Sequence, residues 1–212
     1  GGRGGFPGRL RAAEDGIALS LELTPKRPIV AQGDRGLSRK SAQPGNASYY
    51  YSIPRLAAEG QLTLQGQPFQ VRGLAWLDRE WSTSALAPDQ AGWDWFALHL
   101  DDGRDLMFYR LRDRDGGTDA FSAGSLIRAD GTKTELGADA VQVEPQEYWT
   151  SPDTGVRYPV AWRLRLPGED LDLSVKAVIP DQELDLAVRY WEGAVDVKGT
   201  VNGRGYVELA GY

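Results

Sequence analysis

Two carboxylates, a guanidinium and two indoles fall within six residues at Trp76-Leu77-Asp78-Arg79-Glu80-Trp81. Side chains alternate along an extended strand, so Trp76, Asp78 and Glu80 share one face and Leu77, Arg79 and Trp81 the other. Asp78 and Glu80 are then about 7 Å apart at Cα. Turned into a closed barrel, such a pair is desolvated and self-repelling, which raises at least one pKa and creates a proton donor near neutral pH. Turned outward, the same face is a solvated charged surface, or Arg79 pairs with a carboxylate on a neighbouring strand. Downstream, Gly92-Trp93-Asp94-Trp95-Phe96-Ala97-Leu98-His99-Leu100 puts Trp93, Trp95, Ala97 and His99 on one face. Both faces of this segment are mostly apolar, as in a strand buried on two sides. His99 is suited to shuttle a proton or bond a polar ligand, or else is a satisfied structural residue. Tyr109, with Met107 and Leu111, is expected to join the same interior. Tyr49-Tyr50-Tyr51-Ser52 cannot hide three rings on one face.

These residues must be positioned by strands, because the dominant period of the chain is two. Ile17-Ala18-Leu19-Ser20-Leu21-Glu22-Leu23, Trp162-Arg163-Leu164-Arg165-Leu166 and Leu171-Asp172-Leu173-Ser174-Val175-Lys176-Ala177 alternate apolar and polar residues, the pattern of half-buried antiparallel strands. Asp102-Gly103, Asp115-Gly116-Gly117, Asp130-Gly131, Pro167-Gly168 and Asn202-Gly203 separate strand-like runs. Asp-Gly and Asn-Gly supply the positive φ that tight hairpins need. The fold class is therefore all-β, a meander closing as a barrel or sandwich. No long amphipathic helix is evident, and residues 182–186 are expected to form a short turn. Residues 33–46 are polar and poor in large apolar side chains, and read as a linker or long loop. Only two or three strands precede them, too few to stand alone. The opening Gly1-Gly2-Arg3-Gly4-Gly5 has neither an initiator Met nor a signal peptide, so an upstream part is expected to be missing.

Composition removes several functions. With 212 residues and no Cys, the chain has no disulfide framework, thiolate metal site or Cys nucleophile, and a single His precludes a multi-His metal centre. A net charge of -6 leaves no basic surface for nucleic acid. No apolar run approaches the roughly 20 residues of a membrane helix. No phosphate loop or EF-hand spacing occurs, and neither a cofactor nor a metal is expected.

In order, Ala47-Ser48-Tyr49-Tyr50-Tyr51-Ser52, Gly73-Leu74-Ala75-Trp76-Leu77-Asp78-Arg79-Glu80-Trp81, Gly92-Trp93-Asp94-Trp95-Phe96, Tyr190-Trp191-Glu192-Gly193 and Gly205-Tyr206-Val207-Glu208-Leu209-Ala210-Gly211-Tyr212 resemble the carotenoid 1,2-hydratase (hydroxyneurosporene synthase) family and related secreted hydrolases with lipocalin-like domains. The resemblance runs from about Ile17 onward. It implies two lipocalin-like barrels in tandem: residues 1–46 the remnant of the first plus a linker, residues 47–212 the complete second. It implies acid-assisted addition of water to an apolar isoprenoid or lipid-like substrate in the periplasm or outside the cell. Asp78, Glu80 and Arg79 would be the catalytic set. Trp76, Trp81, Trp95, His99, Tyr109 and Tyr51 would line the ligand. Arg79 stands where hydratases carry His, and a permanently protonated guanidinium orients a partner rather than donating a proton. The alternative is a non-catalytic carrier of a hydrophobic ligand.

Overall fold

A computed structural model describes residues 8–82, 86–186 and 188–212. The opening Gly1 to Gly5 lies outside them. The described residues are all-β apart from two three-residue 3-10 turns, and their strand ladders of defined register are antiparallel. No helix among them is long and apolar enough to cross a membrane. The chain divides into two compact units, Gly1–Val30 with Tyr51–Arg79 and Ala31–Tyr50 with Glu80–Tyr212.

The first unit is built from β1 (Arg9–Glu14), β2 (Ile17–Pro25), and the greater parts of β5 (Ala47–Leu64) and β6 (Gln67–Ser82). The register Leu10↔Leu21, Ala12↔Leu19, Leu19↔Leu62 and Ile17↔Leu64 gathers these apolar residues on one face. Leu10, Ile17 and Leu64 on that face are exposed. Arg9, Arg11, Ser20 and Glu22 take the other face, as alternation requires.

The second unit contains β3 (Val30–Ala31) in part, β4 (Leu37–Arg39), and a ten-stranded sheet. The sheet's strands are β7 (Gln90–Leu100), β8 (Asp105–Asp113), β9 (Ala123–Ile127), β10 (Lys133–Gly137), β11 (Gln142–Thr150), β12 (Arg157–Leu166), β13 (Leu171–Ala177), β14 (Glu183–Asp185), β15 (Arg189–Gly199) and β16 (Gly203–Ala210). Their order is β10-β9-β8-β7-β16-β15-β13-β12-β11, with β14 added to β15. Leu126 and Leu136, at one end of that order, and Leu164 and Val143, at the other, belong to one core. A sheet whose two ends feed the same core must curl. Phe96, Leu106, Trp162, Leu173, Trp191 and Val207 fill its interior without solvent contact. The interior of this half-barrel is thus packed side chain. The expected hairpin turns at Asp102-Gly103, Asp130-Gly131 and Asn202-Gly203 all join consecutive strands. The turn expected over residues 182–186 is instead the short strand β14, because Glu183 and Asp185 find ladder partners in Trp191 and Arg189.

Two buried polar clusters pin this sheet. Glu183 accepts hydrogen bonds from the hydroxyls of Ser151, Thr154 and Tyr158, with Arg189 3.8 Å away. Burial alone would raise its pKa, but these hydroxyl donors and the Arg189 charge outweigh it and hold the carboxyl below its usual 4.5. A depressed carboxyl stabilises the fold above its unfolded pKa, and that contribution disappears as pH falls through the folded value. Stability measured by denaturant titration should therefore fall as pH drops below about 4.5, and Glu183→Gln should flatten part of that dependence.

The second cluster surrounds Asp94, whose side chain has no solvent exposure. Its Oδ1 accepts the Tyr212 hydroxyl at 2.7 Å and lies 3.1 Å from Arg112 Nε, while Oδ2 lies 3.6 Å from Arg110. Arg112 in turn donates to the carbonyls of Ala210 and Gly211 and stacks on the Tyr212 ring.

Candidate functional site

Alternation along β7 and β8 sends Phe96, Leu98, Leu106 and Phe108 into the packed core and the intervening residues to the opposite face. Register pairs Trp95 with Tyr109, Ala97 with Met107 and His99 with Asp105 on that second face. Tyr109 thus shares a face with Trp95 as expected, but the face is the one away from the packed interior of the barrel. Its cover in the second unit comes from Ala31–Tyr50. The polar stretch 33–46, which reads as a linker, carries β4 and buries Ser38, Ser41 and Asn46. Polarity there reflects hydrogen bonding to this face and not exposure to water.

Strand β4 pairs with the start of β5 so that Ser38 lies opposite Ser48. The Ser38 hydroxyl is 2.8 Å from the Tyr109 hydroxyl. Ser48 donates to Oε1 of Glu80. The same oxygen lies 3.1 Å from Nζ of Lys40. Lys40 Nζ sits 3.6 Å from the centroid of the Tyr109 ring and 5.5 Å from that of Tyr50. Its main chain is fixed at both polar groups: the amide donates to Asn46 and the carbonyl accepts from Gln90 Nε2 at 2.7 Å. Gln90 is itself buried and bonded to Asp119 and the Ala87 amide. Tyr50 is the buried member of the tyrosine triplet, and its hydroxyl accepts Trp95 Nε1 at 3.2 Å. Among the described residues, Oε2 of Glu80 has no hydrogen-bond partner, and the side chain is 37% exposed.

The arrangement is a carboxylate anchored by one oxygen and open at the other, beside an ammonium set between two phenol rings. A group so held can take up and return a proton to a small molecule lying on the aromatic face. The same face continues across β16 and β15. Glu208 and Glu192 stand opposite each other there, Glu208 accepting Trp93 Nε1 at 2.7 Å. Burial pushes the Glu192 carboxyl up, although the Tyr206 hydroxyl donates to it. Among the described residues no cluster of three or more carboxylates or imidazoles is gathered for a metal ion.

The other expected site residues fall as follows. Asp78, in the first unit, accepts hydrogen bonds at Oδ1 from Ser52 and from Trp76 Nε1. Tyr51, also in the first unit, is half-buried. Arg79 and Trp81 occupy exposed positions of β6. His99 lies 3.9 Å from Asp105, whose side chain is fully buried. Lys40, Ser38, Ser48 and Tyr50 were not marked by any spacing signal, since their contacts come from residues 10 to 71 positions away.

A model of the AttH-like family matches residues 2–212. The dehydratase asqC of Emericella nidulans is 27% identical over 185 residues, covering 82% of this chain and 50% of that protein. The chain thus spans about half the length of this curated relative. The crystal structure of an AttH candidate from Nitrosomonas europaea superposes with a TM-score of 0.89 at 40% identity, over 96% of this chain and 64% of that one. Kievitone hydratase from Nectria haematococca superposes at 0.76 with 21% identity, over 96% of this chain and 64% of its own, a likeness of fold. With nearly every residue inside the family match, the chain belongs to the AttH-like family.

Proposed function

We propose that this protein adds water to, or removes it from, an unsaturated apolar small molecule, with Glu80 moving the proton. The observation that carries the reading is Glu80 itself. Ser48 and Lys40 fix one carboxylate oxygen, the other has no partner among the described residues, and Tyr50, Trp95 and Tyr109 supply an apolar floor. Proton transfer and exclusion of bulk water by aromatic walls are the two requirements of such chemistry. The dehydratase and hydratase names of two relatives point the same way. The substrate is isoprenoid- or lipid-like, and the protein works in the periplasm or outside the cell.

The test is native mass spectrometry of the purified protein, followed by organic extraction and incubation of the extract with protein in ¹⁸O-labelled water. An apolar ligand that gains ¹⁸O with the mass of water, or loses the mass of unlabelled water, supports the proposal. A ligand that is retained but never converted makes the protein a carrier.

A further inference from the structure

We infer that Lys40 is an oxyanion-binding residue, and that the reacting double bond of the substrate is conjugated to a carbonyl. This rests on the water-addition reading and narrows its substrate class. Water can be added to a carbon–carbon double bond by two electronic routes. An isolated alkene is protonated first, and positive charge develops on carbon. An alkene conjugated to a carbonyl accepts the water oxygen at its β-carbon, and negative charge develops on the carbonyl oxygen.

The surroundings of Glu80 discriminate between these routes. The ammonium of Lys40 is 3.1 Å from Glu80 Oε1, so it sits beside whatever Glu80 protonates. Its side chain is only 15% exposed, and weak screening makes its charge felt. A carbocation formed next to that ammonium is repelled by it, whereas an enolate oxygen is stabilised. The ammonium has three donors. Glu80 takes one and the Tyr109 ring face, 3.6 Å from Nζ, attracts the charge from one side. A donor remains for a carbonyl oxygen. Lys40 is also preorganised, because Asn46 and Gln90 hold its main chain.

In the dehydrating direction, Glu80 Oε2 removes the proton α to the carbonyl. The electron pair of that C–H bond forms the enolate, whose oxygen Lys40 bonds. The enolate then collapses to the double bond, the β C–O bond breaks, and the departing hydroxide takes the proton from Glu80 to leave as water. Carboxylate and ammonium are regenerated, and no oxidant, reductant or cofactor enters. Hydration is the reverse.

The test compares benzalacetone, an enone, with prenylbenzene, an isolated alkene of similar size, and uses p-nitrophenol as an oxyanion probe. Wild-type protein should hydrate benzalacetone in preference to prenylbenzene and bind p-nitrophenol as the phenolate, with its apparent pKa lowered on binding. Lys40→Met should lower kcat for the enone by about 10²–10³ and abolish the phenolate signature while leaving the circular dichroism spectrum unchanged. Lys40→Arg should restore part of both. Prenylbenzene turnover that survives or rises in Lys40→Met would overturn the inference and leave the water-addition reading standing. Phenolate binding that depends on Lys40, with neither alkene converted, keeps the oxyanion site and overturns the water-addition reading. Binding of the neutral phenol, no binding at all, or a Lys40→Met protein that still binds phenolate overturns the inference.

Discussion

Glu80→Gln should lower turnover by about 10²–10⁴, the range for losing a positioned proton-transfer group, while leaving the melting temperature within a few degrees. Glutamine retains an oxygen to accept from Ser48 and a similar shape, but it can neither take a proton nor balance the charge of Lys40. The surface side of this ion pair keeps the stability cost small, since Glu80 is 37% exposed and such pairs contribute little. Steady-state kinetics and thermal melting on the same preparation decide the matter. A variant that turns over normally would remove Glu80 from the chemistry. If Glu80→Gln fails to fold, Glu80→Asp, which keeps the charge, should fold without restoring the rate, and full turnover in that variant would make the role of Glu80 structural.

Asp94→Ala should have the largest effect on stability, about 3–5 kcal/mol. It removes the anion that faces both Arg110 and Arg112, whose side chains are 12% and 14% exposed. Two nearly buried guanidiniums would then lack their counter-charge, and the Tyr212 hydroxyl would lose its acceptor. For a chain of this length the melting temperature should fall by roughly 10 °C. Differential scanning calorimetry of the two proteins at neutral pH measures it. The pKa of Tyr212 is raised by its burial and by the Asp94 charge beside it, so the hydroxyl stays protonated and able to donate throughout the accessible range.

The strands were legible because alternation and Asp-Gly or Asn-Gly turns are local signals. Trp162-Arg163-Leu164-Arg165-Leu166 alternates in the sequence and alternates in burial in β12. The shared face of Trp95 and Tyr109 was readable for the same reason. Which of the two sheet faces enclosed the core was not, because β7 is apolar on both. The missing part of the candidate site lay in residues 33–46. Their composition says loop, yet Ser38 and Lys40 owe their place to Tyr109, Gln90 and Glu80, all far along the chain. The tyrosine triplet shows the limit of parity. Alternation required Tyr50 to face away from Tyr49 and Tyr51, but only tertiary contacts decided that Tyr50 is the buried ring bonded to Trp95, while Tyr49 is 69% exposed.

The pairing of β16 with β7 also bears on how the sheet can be assembled. Trp93 and Glu208, joined across that seam, are 115 residues apart. Strands β7, β8 and β9 follow one another and can form as hairpins while the chain is still being synthesised. β7 nevertheless leaves the ribosome with one edge unpaired, and it stays so until β16 arrives. Contacts of such separation carry a large loop-closure cost and make folding slow. During that interval an open edge bearing Trp93, Trp95 and Phe96 invites pairing with other chains. Yield in a cell is therefore set by how long the middle of the sheet waits for its last strand, and slower growth or lower temperature should raise the soluble fraction more than any change to the candidate site.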